Sequence, residues 1–169
     1  MKMIVRMLAI LLTIAAAEIP AMAQNPSPIV GTWRVIDSEE EVVETKVIGH
    51  GWTGSGSPTM GFVTYMADGR MNLMIADPTR KKPAQTFATD AEAAGLYRTM
   101  NAYAGTYRVE GDQIKIHVEI ALQQTLVGAD LTRSFKLDGD RLTTITPPFV
   151  SATRNNQTLI TTIVWERVK

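Results

Sequence analysis

The stretch YAGTYRVEGDQIKIHVEIAL, residues 103–122, decides the fold. Two β-prone runs, 103–109 and 113–122, flank Glu110-Gly111-Asp112. In the second run Ile114, Ile116, Val118 and Ile120 alternate with Lys115, His117 and Glu119. A period of two places successive side chains on opposite faces of a strand, so this run has one apolar and one polar face. The central glycine supplies the positive φ that a tight reversal requires. The stretch is therefore an antiparallel hairpin.

The same grammar recurs on both sides. Residues 60–66 and 71–76 flank Ala67-Asp68-Gly69-Arg70, and residues 131–137 and 141–145 flank Asp138-Gly139-Asp140. Such pairs of β-prone runs around Asp-Gly are hairpin signals. Residues 31–43 (GTWRVIDSEEEVV) begin with Trp33 and Val35 at alternate places and predict the first strand, with Glu39 to Glu41 as an exposed acidic tip. Residues 158–168 (TLITTIVWERV) predict a long last strand. The glycine- and serine-rich HGWTGSGSP, residues 50–58, predicts a flexible loop. One segment departs from the pattern. Residues 89–102 (TDAEAAGLYRTMNA) open with capping residues and carry Leu96 and Met100 four apart, which predicts a helix weakened by Gly95. The expected fold is mainly β, a single antiparallel up-and-down β-barrel of about 8–9 strands with one short helix. Eight strands leave interior room for one small ligand.

The amino terminus carries the marks of a signal peptide. Lys2 and Arg6 precede the apolar run MLAILLTIAAA, residues 7–17, and Ala21-Met22-Ala23 forms a small-x-small cleavage site. The run is too short to span a bilayer comfortably, and Glu18 and Pro20 stand where an anchor helix would continue. The domain plan is a signal peptide at 1–23, a polar leader at 24–28 and a barrel domain at 29–169. Export to the periplasm or the medium follows, with no stable membrane insertion after cleavage. Removing 23 of 169 residues leaves 146, enough for one domain with a real core. The chain has no cysteine, so there is no disulfide, thiol nucleophile or thiolate metal site. Lysine plus arginine and aspartate plus glutamate number 17 each. The single basic cluster, Arg80 to Lys82 between two prolines, lacks an aromatic platform and reads as a solvated loop, so nucleic acid is not an expected partner.

Candidate chemistry is sparse. His117 and Glu119 share the polar face of their strand, while Arg133 shares a face with Leu131, Phe135 and Leu137. That is an odd place for a guanidinium without a buried partner. One reading sets the polar face of the His117 strand in water. The sharper reading turns His117, Glu119 and Arg133 together into the interior, with a Glu119–Arg133 ion pair, where they could hold an anionic or carbonyl group or exchange protons. The two histidines, His50 and His117, lack metal-ligand spacing, so no metal and no cofactor are expected. Gly54-Ser55-Gly56 lacks the strand-to-helix setting of a hydrolase elbow. The aromatic residues Trp33, Phe62, Tyr65, Tyr103, Tyr107, Phe135 and Trp165 fall in predicted strands or at their ends, and Trp33, Phe62, Tyr65, Tyr107 and Phe135 are candidate pocket lining. In a barrel the core and the ligand pocket are the same place.

Gly31-Thr32-Trp33-Arg34 resembles the Gly-x-Trp opening of lipocalins, in which the tryptophan plugs the barrel base. More specifically, the chain is similar to the bacterial and fungal lipocalin-like domain family. The similarity rests on GTWRVIDSE, GFVTYMADGRM, NAYAGTYRVEGD, the His117-Val118-Glu119 strand, FKLDGDRLTTITPP and VWERV. Where that family has a proline–asparagine–tryptophan turn before the position of Gly128, this chain has Gln123-Gln124-Thr125-Leu126. The resemblance implies a calycin-type barrel with a cavity, and a Trp33 buried at its closed end beside a basic residue. Three uses fit the residues. The leading one is an exported protein holding a small apolar or amphipathic ligand in the barrel. The second is an isomerase, cyclase or hydrolase using His117, Glu119 and Arg133 with Tyr107. The third is a structural domain with a filled core.

Overall fold

A computed structural model describes residues 27–51, 59–151 and 154–169. The expected signal peptide and the first residues of the expected leader lie outside the described residues, as does most of the glycine- and serine-rich loop. Ten strands form one antiparallel sheet: β1 (Gly31–Val42), β2 (Ile48–His50), β3 (Met60–Tyr65), β4 (Arg70–Ala76), β5 (Met100–Glu110), β6 (Gln113–Ala121), β7 (Asp130–Asp138), β8 (Arg141–Ile145), β9 (Phe149–Ser151) and β10 (Gln157–Arg167). The sheet closes because β1 pairs with β10, leaving an eight-stranded up-and-down barrel to which β2 and β9 are added. One helix, α1 (Asp90–Arg98), stands between β4 and β5. Among the described residues no helix is long and apolar enough to cross a membrane.

The two ends of the barrel differ. The tight turns at 66–69, 111–112 and 139–140 lie at one end, together with the start of β1 and the end of β10. The longer connections at 77–99, 122–129 and 146–156 lie at the other. Gly69 and Gly111 take φ of 84° and 61°, the left-handed geometry expected of those turns. The helix is shorter than its sequence signal. Thr89 and Glu92 form a reciprocal capping box, but the chain leaves the helix at Thr99 and runs into β5, so Met100 to Ala102 are strand.

Two irregularities re-phase the alternation. Between Val35 and Asp37 the β1–β10 register slips, and Ile36 turns outward. Beyond this bulge Ser38 and Glu40 point inward. Glu39 to Glu41 are therefore not an exposed tip. They pair with both β10 and β2, and the Glu40 side chain is only 12% exposed. The second bulge lies between β5 and β6, where Gly105 faces Val118 but Ala104 faces Ile120. Glu119 is the extra residue, and Ile120 is exposed rather than in line with Ile116 and Val118. A Cβ on Gly105 would stand only 1.9 Å from the His117 carbonyl oxygen, so only glycine admits this close approach.

The closed end is built on Trp33. Its ring is fully buried, and its Nε1 donates to the Ile29 carbonyl at 2.8 Å. The Arg167 guanidinium lies 4.1 Å from the ring centroid and donates to the carbonyls of Val30 and Pro28. The expected pairing of this tryptophan with a basic residue is present. Ile29, Val63, Met71, Ile114, Leu142 and Trp165 complete a packed base. Replacing Trp33 with alanine should cost about 3–5 kcal/mol in urea unfolding. A loss below about 1 kcal/mol would mean that the base tolerates its absence.

Candidate functional site

Above the packed base the barrel is hollow. A cavity of about 530 Å³ occupies the half nearer the long connections. Apolar side chains form its walls: Leu73 and Ile75 from β4, Ile116 from β6, Leu131 from β7, and Ile163 and Trp165 from β10. Tyr97 and Arg98 of α1, Leu126, Phe149 and Arg154 border it from the connecting segments. The interior positions of β4 and β6 carry large apolar residues because alternation leaves the inward face no contact with bulk water. Trp165 is held in place by its Nε1, which donates to the Thr144 hydroxyl at 2.9 Å.

Polar groups interrupt the apolar wall. Arg133 takes an inward position on β7, in line with Leu131, Phe135 and Leu137, and stands opposite Ile114 on β6. Its Nη1 donates to the Thr132 carbonyl at 2.8 Å. Among the described residues no carboxylate lies within ion-pair distance of it. Tyr65 and Tyr103 are almost fully buried and line the same cavity. The Tyr65 ring packs against Tyr107, with centroids 4.9 Å apart. Burial pushes the Tyr65 phenol well above its ordinary range, Tyr103 adds to the rise, and the nearby Arg133 charge opposes it. Burial, and then Asp68, also raises Tyr107. Both phenols thus keep their protons and act as O–H groups at neutral pH. Asn101 Oδ1 and Gln123 Oε1, also at the cavity, are buried acceptors with no hydrogen-bond partner among the described residues. Glu40 pairs with Arg154 at 2.7 Å, tying β1 to the segment before β10.

The expected site residues separate into three groups. Arg133 and Tyr65 line the cavity. Trp33 plugs the base beneath it, and Tyr107 and Phe135 pack against that core. Tyr107 also donates to the Met66 carbonyl at the closed end. Phe62, His117 and Glu119 lie on the outer surface. The inward orientation of His117 and Glu119 is thereby corrected. Ile114, Ile116 and Val118 occupy the interior, and strand parity then sends Lys115 and His117 outward, while the bulge keeps Glu119 there too. His117 Nδ1 lies 2.9 Å from Asp130 Oδ1, and Glu119 pairs with Arg70. A Glu119–Arg133 pair would have to pass through the sheet, and the acid–base trio does not assemble. Among the described residues no three His, Asp or Glu side chains converge as metal ligands.

Tyr103, an aromatic residue of a predicted strand with the parity of Tyr107, lines the cavity. Other cavity residues escaped the sequence. Asn101 and Gln123 sit at strand ends where alternation carries no information, and Glu40 is inward only because of the bulge at Ile36.

Because Arg133 and Glu119 occupy opposite faces of the sheet, Arg133→Met and Glu119→Gln should be additive within about 0.5 kcal/mol in urea unfolding. Arg133→Met alone should leave stability unchanged or raise it by up to about 1 kcal/mol, since it removes a desolvated charge that has no anion. A loss of about 3 kcal/mol would instead reveal a buried counter-charge.

Comparison with curated proteins returned no match. The lipocalin-like domain family matches residues 30–168, nearly the whole chain. With a closed eight-stranded up-and-down barrel and a tryptophan-plugged base, the chain belongs to the lipocalin-like domain family.

Proposed function

We propose that this protein is an exported carrier that holds a small, mainly apolar molecule inside the barrel. The observation that supports this reading is the cavity of about 530 Å³, lined largely by aliphatic and aromatic side chains above a fully packed base. Ligand pockets are generally of this size, with apolar walls and few polar groups. A barrel serving only as a structural unit gains nothing from such a void, because unfilled interior volume costs stability. The signal-like start, with a small-x-small site ending at Ala23, supports export of a mature chain beginning at Gln24.

Two measurements test this reading. The exported protein should begin at Gln24 on N-terminal sequencing, and an intact Met1 would refute export by cleavage. The neutral probe N-phenyl-1-naphthylamine should bind and brighten in the cavity. Leu131→Trp, which fills the wall opposite Ile116, should weaken that binding by about tenfold or more while the protein stays folded, as expected when a side chain enters empty space. Equal binding by a folded Leu131→Trp variant would place the probe elsewhere.

A further inference from the structure

The cavity contains a charge imbalance that its apolar walls do not explain. Two carboxylates and three guanidiniums border it: Glu40 and Asp130, against Arg98, Arg133 and Arg154. Glu40 is paired with Arg154, and Asp130 with His117. Arg98 and Arg133 have no carboxylate within ion-pair distance among the described residues. Arg98 is exposed at the end of α1, where water solvates it. Arg133 is half-buried beside Ile114, Ile116 and Leu131. Of the five N–H donors a guanidinium carries, one meets an acceptor among the described residues, the Thr132 carbonyl. Two further donors are available in the same cavity. The side chains of Tyr65 and Tyr103 line it, and their hydroxyls make no hydrogen bond among the described residues and are not sealed in the packed core.

We infer that the molecule held in the barrel is an organic anion, an apolar body bearing one carboxylate or comparable oxyanion, which docks head-inward on Arg133 with the hydroxyls of Tyr65 and Tyr103 as further donors. This inference rests on the binding reading above and specifies its ligand. A planar guanidinium offers two parallel N–H groups to a carboxylate, a fit that a neutral alcohol or ester cannot reproduce. The apolar walls formed by Leu73, Ile75 and Ile163 accommodate the rest of the molecule. Arg98 at the rim adds a positive field along the entry path, which draws anions toward the mouth. The phenol of Tyr65, like any tyrosine phenol at neutral pH, keeps its proton, and burial raises it further, so it presents an O–H to the anion rather than a competing charge.

The test uses two probes of the same aromatic frame, anionic 8-anilinonaphthalene-1-sulfonate and neutral N-phenyl-1-naphthylamine, with dodecanoate and dodecanol as competitors. The unmodified protein should bind the sulfonate more tightly than the neutral probe, and dodecanoate should displace either probe at about tenfold lower concentration than dodecanol. Arg133→Met should weaken the sulfonate by about tenfold or more and change the neutral probe by no more than about twofold. Tyr65→Phe and Tyr103→Phe should each weaken the sulfonate by a smaller factor. The competitor pair on the unmodified protein needs no variant, so the inference stands or falls even if Arg133→Met does not fold. Equal displacement by dodecanoate and dodecanol, or a sulfonate affinity indifferent to Arg133→Met, would overturn the anion while leaving the binding reading in place. Binding of neither probe would overturn both.

Discussion

The seam between β1 and β10 is the constraint on which the rest of the molecule depends. Nine residue pairs, from Trp33 with Arg167 to Val42 with Leu159, join the first strand of the barrel to its last. Without that pairing the sheet would expose two long edges, each a row of unsatisfied backbone donors and acceptors. The seam also brings Arg167 over Trp33, so closure and plugging of the base are one event. No cysteine is available to hold the ends together. Backbone hydrogen bonds along the seam and packing beneath it do so instead.

Two bulges divide the closed barrel into a filled part and a hollow one. Below Ile36 and Glu119 the inward positions carry Trp33, Val35 and Val118, and the base is packed. Above them the inward phase shifts by one residue on β1 and on β6. Ser38 and Glu40 then enter the interior from β1, while β5, whose own alternation is unbroken, brings Tyr103 and Asn101 to the cavity. The extra residue in each strand also sharpens local twist, which helps a sheet curl into a barrel. The bulge in β1 thus assists closure and supplies Ser38 and Glu40 to the upper half.

The hollow half has a cost. An uncompensated guanidinium and orphaned amide acceptors at Asn101 and Gln123 are each unfavourable where water is scarce. The exterior does little to offset this. Pairs such as Arg34–Glu166 and Arg108–Glu110 are exposed to solvent, where ion pairs contribute little. Stability therefore rests on the base and the seam, and the upper barrel carries polar groups that the described residues leave unpaired. Such a division between a stable support and a locally unfavourable site is a common arrangement for binding.

The sequence by itself determined the hairpins, the up-and-down order, the plugging tryptophan and the inward place of Arg133. All of these follow from local signals: glycine at the turns, strict alternation along β6 and β7, and an apolar neighbourhood around one arginine. It did not determine which face of β6 was interior for His117 and Glu119. Two alternating faces are equivalent until neighbouring strands choose between them. The apolar face of Ile114, Ile116 and Val118 won because closure leaves one side of the sheet without bulk water. Nor did it show the bulges, since an extra residue is defined only against a partner strand, and Ile36 and Glu119 look locally like any other strand positions. Tertiary structure alone therefore decided that Glu40 turns inward, that Glu119 meets Arg70 outside, and that Arg133 has no carboxylate partner among the described residues. Each outcome depends on register between strands far apart in sequence, and periodicity within one strand carries no record of it.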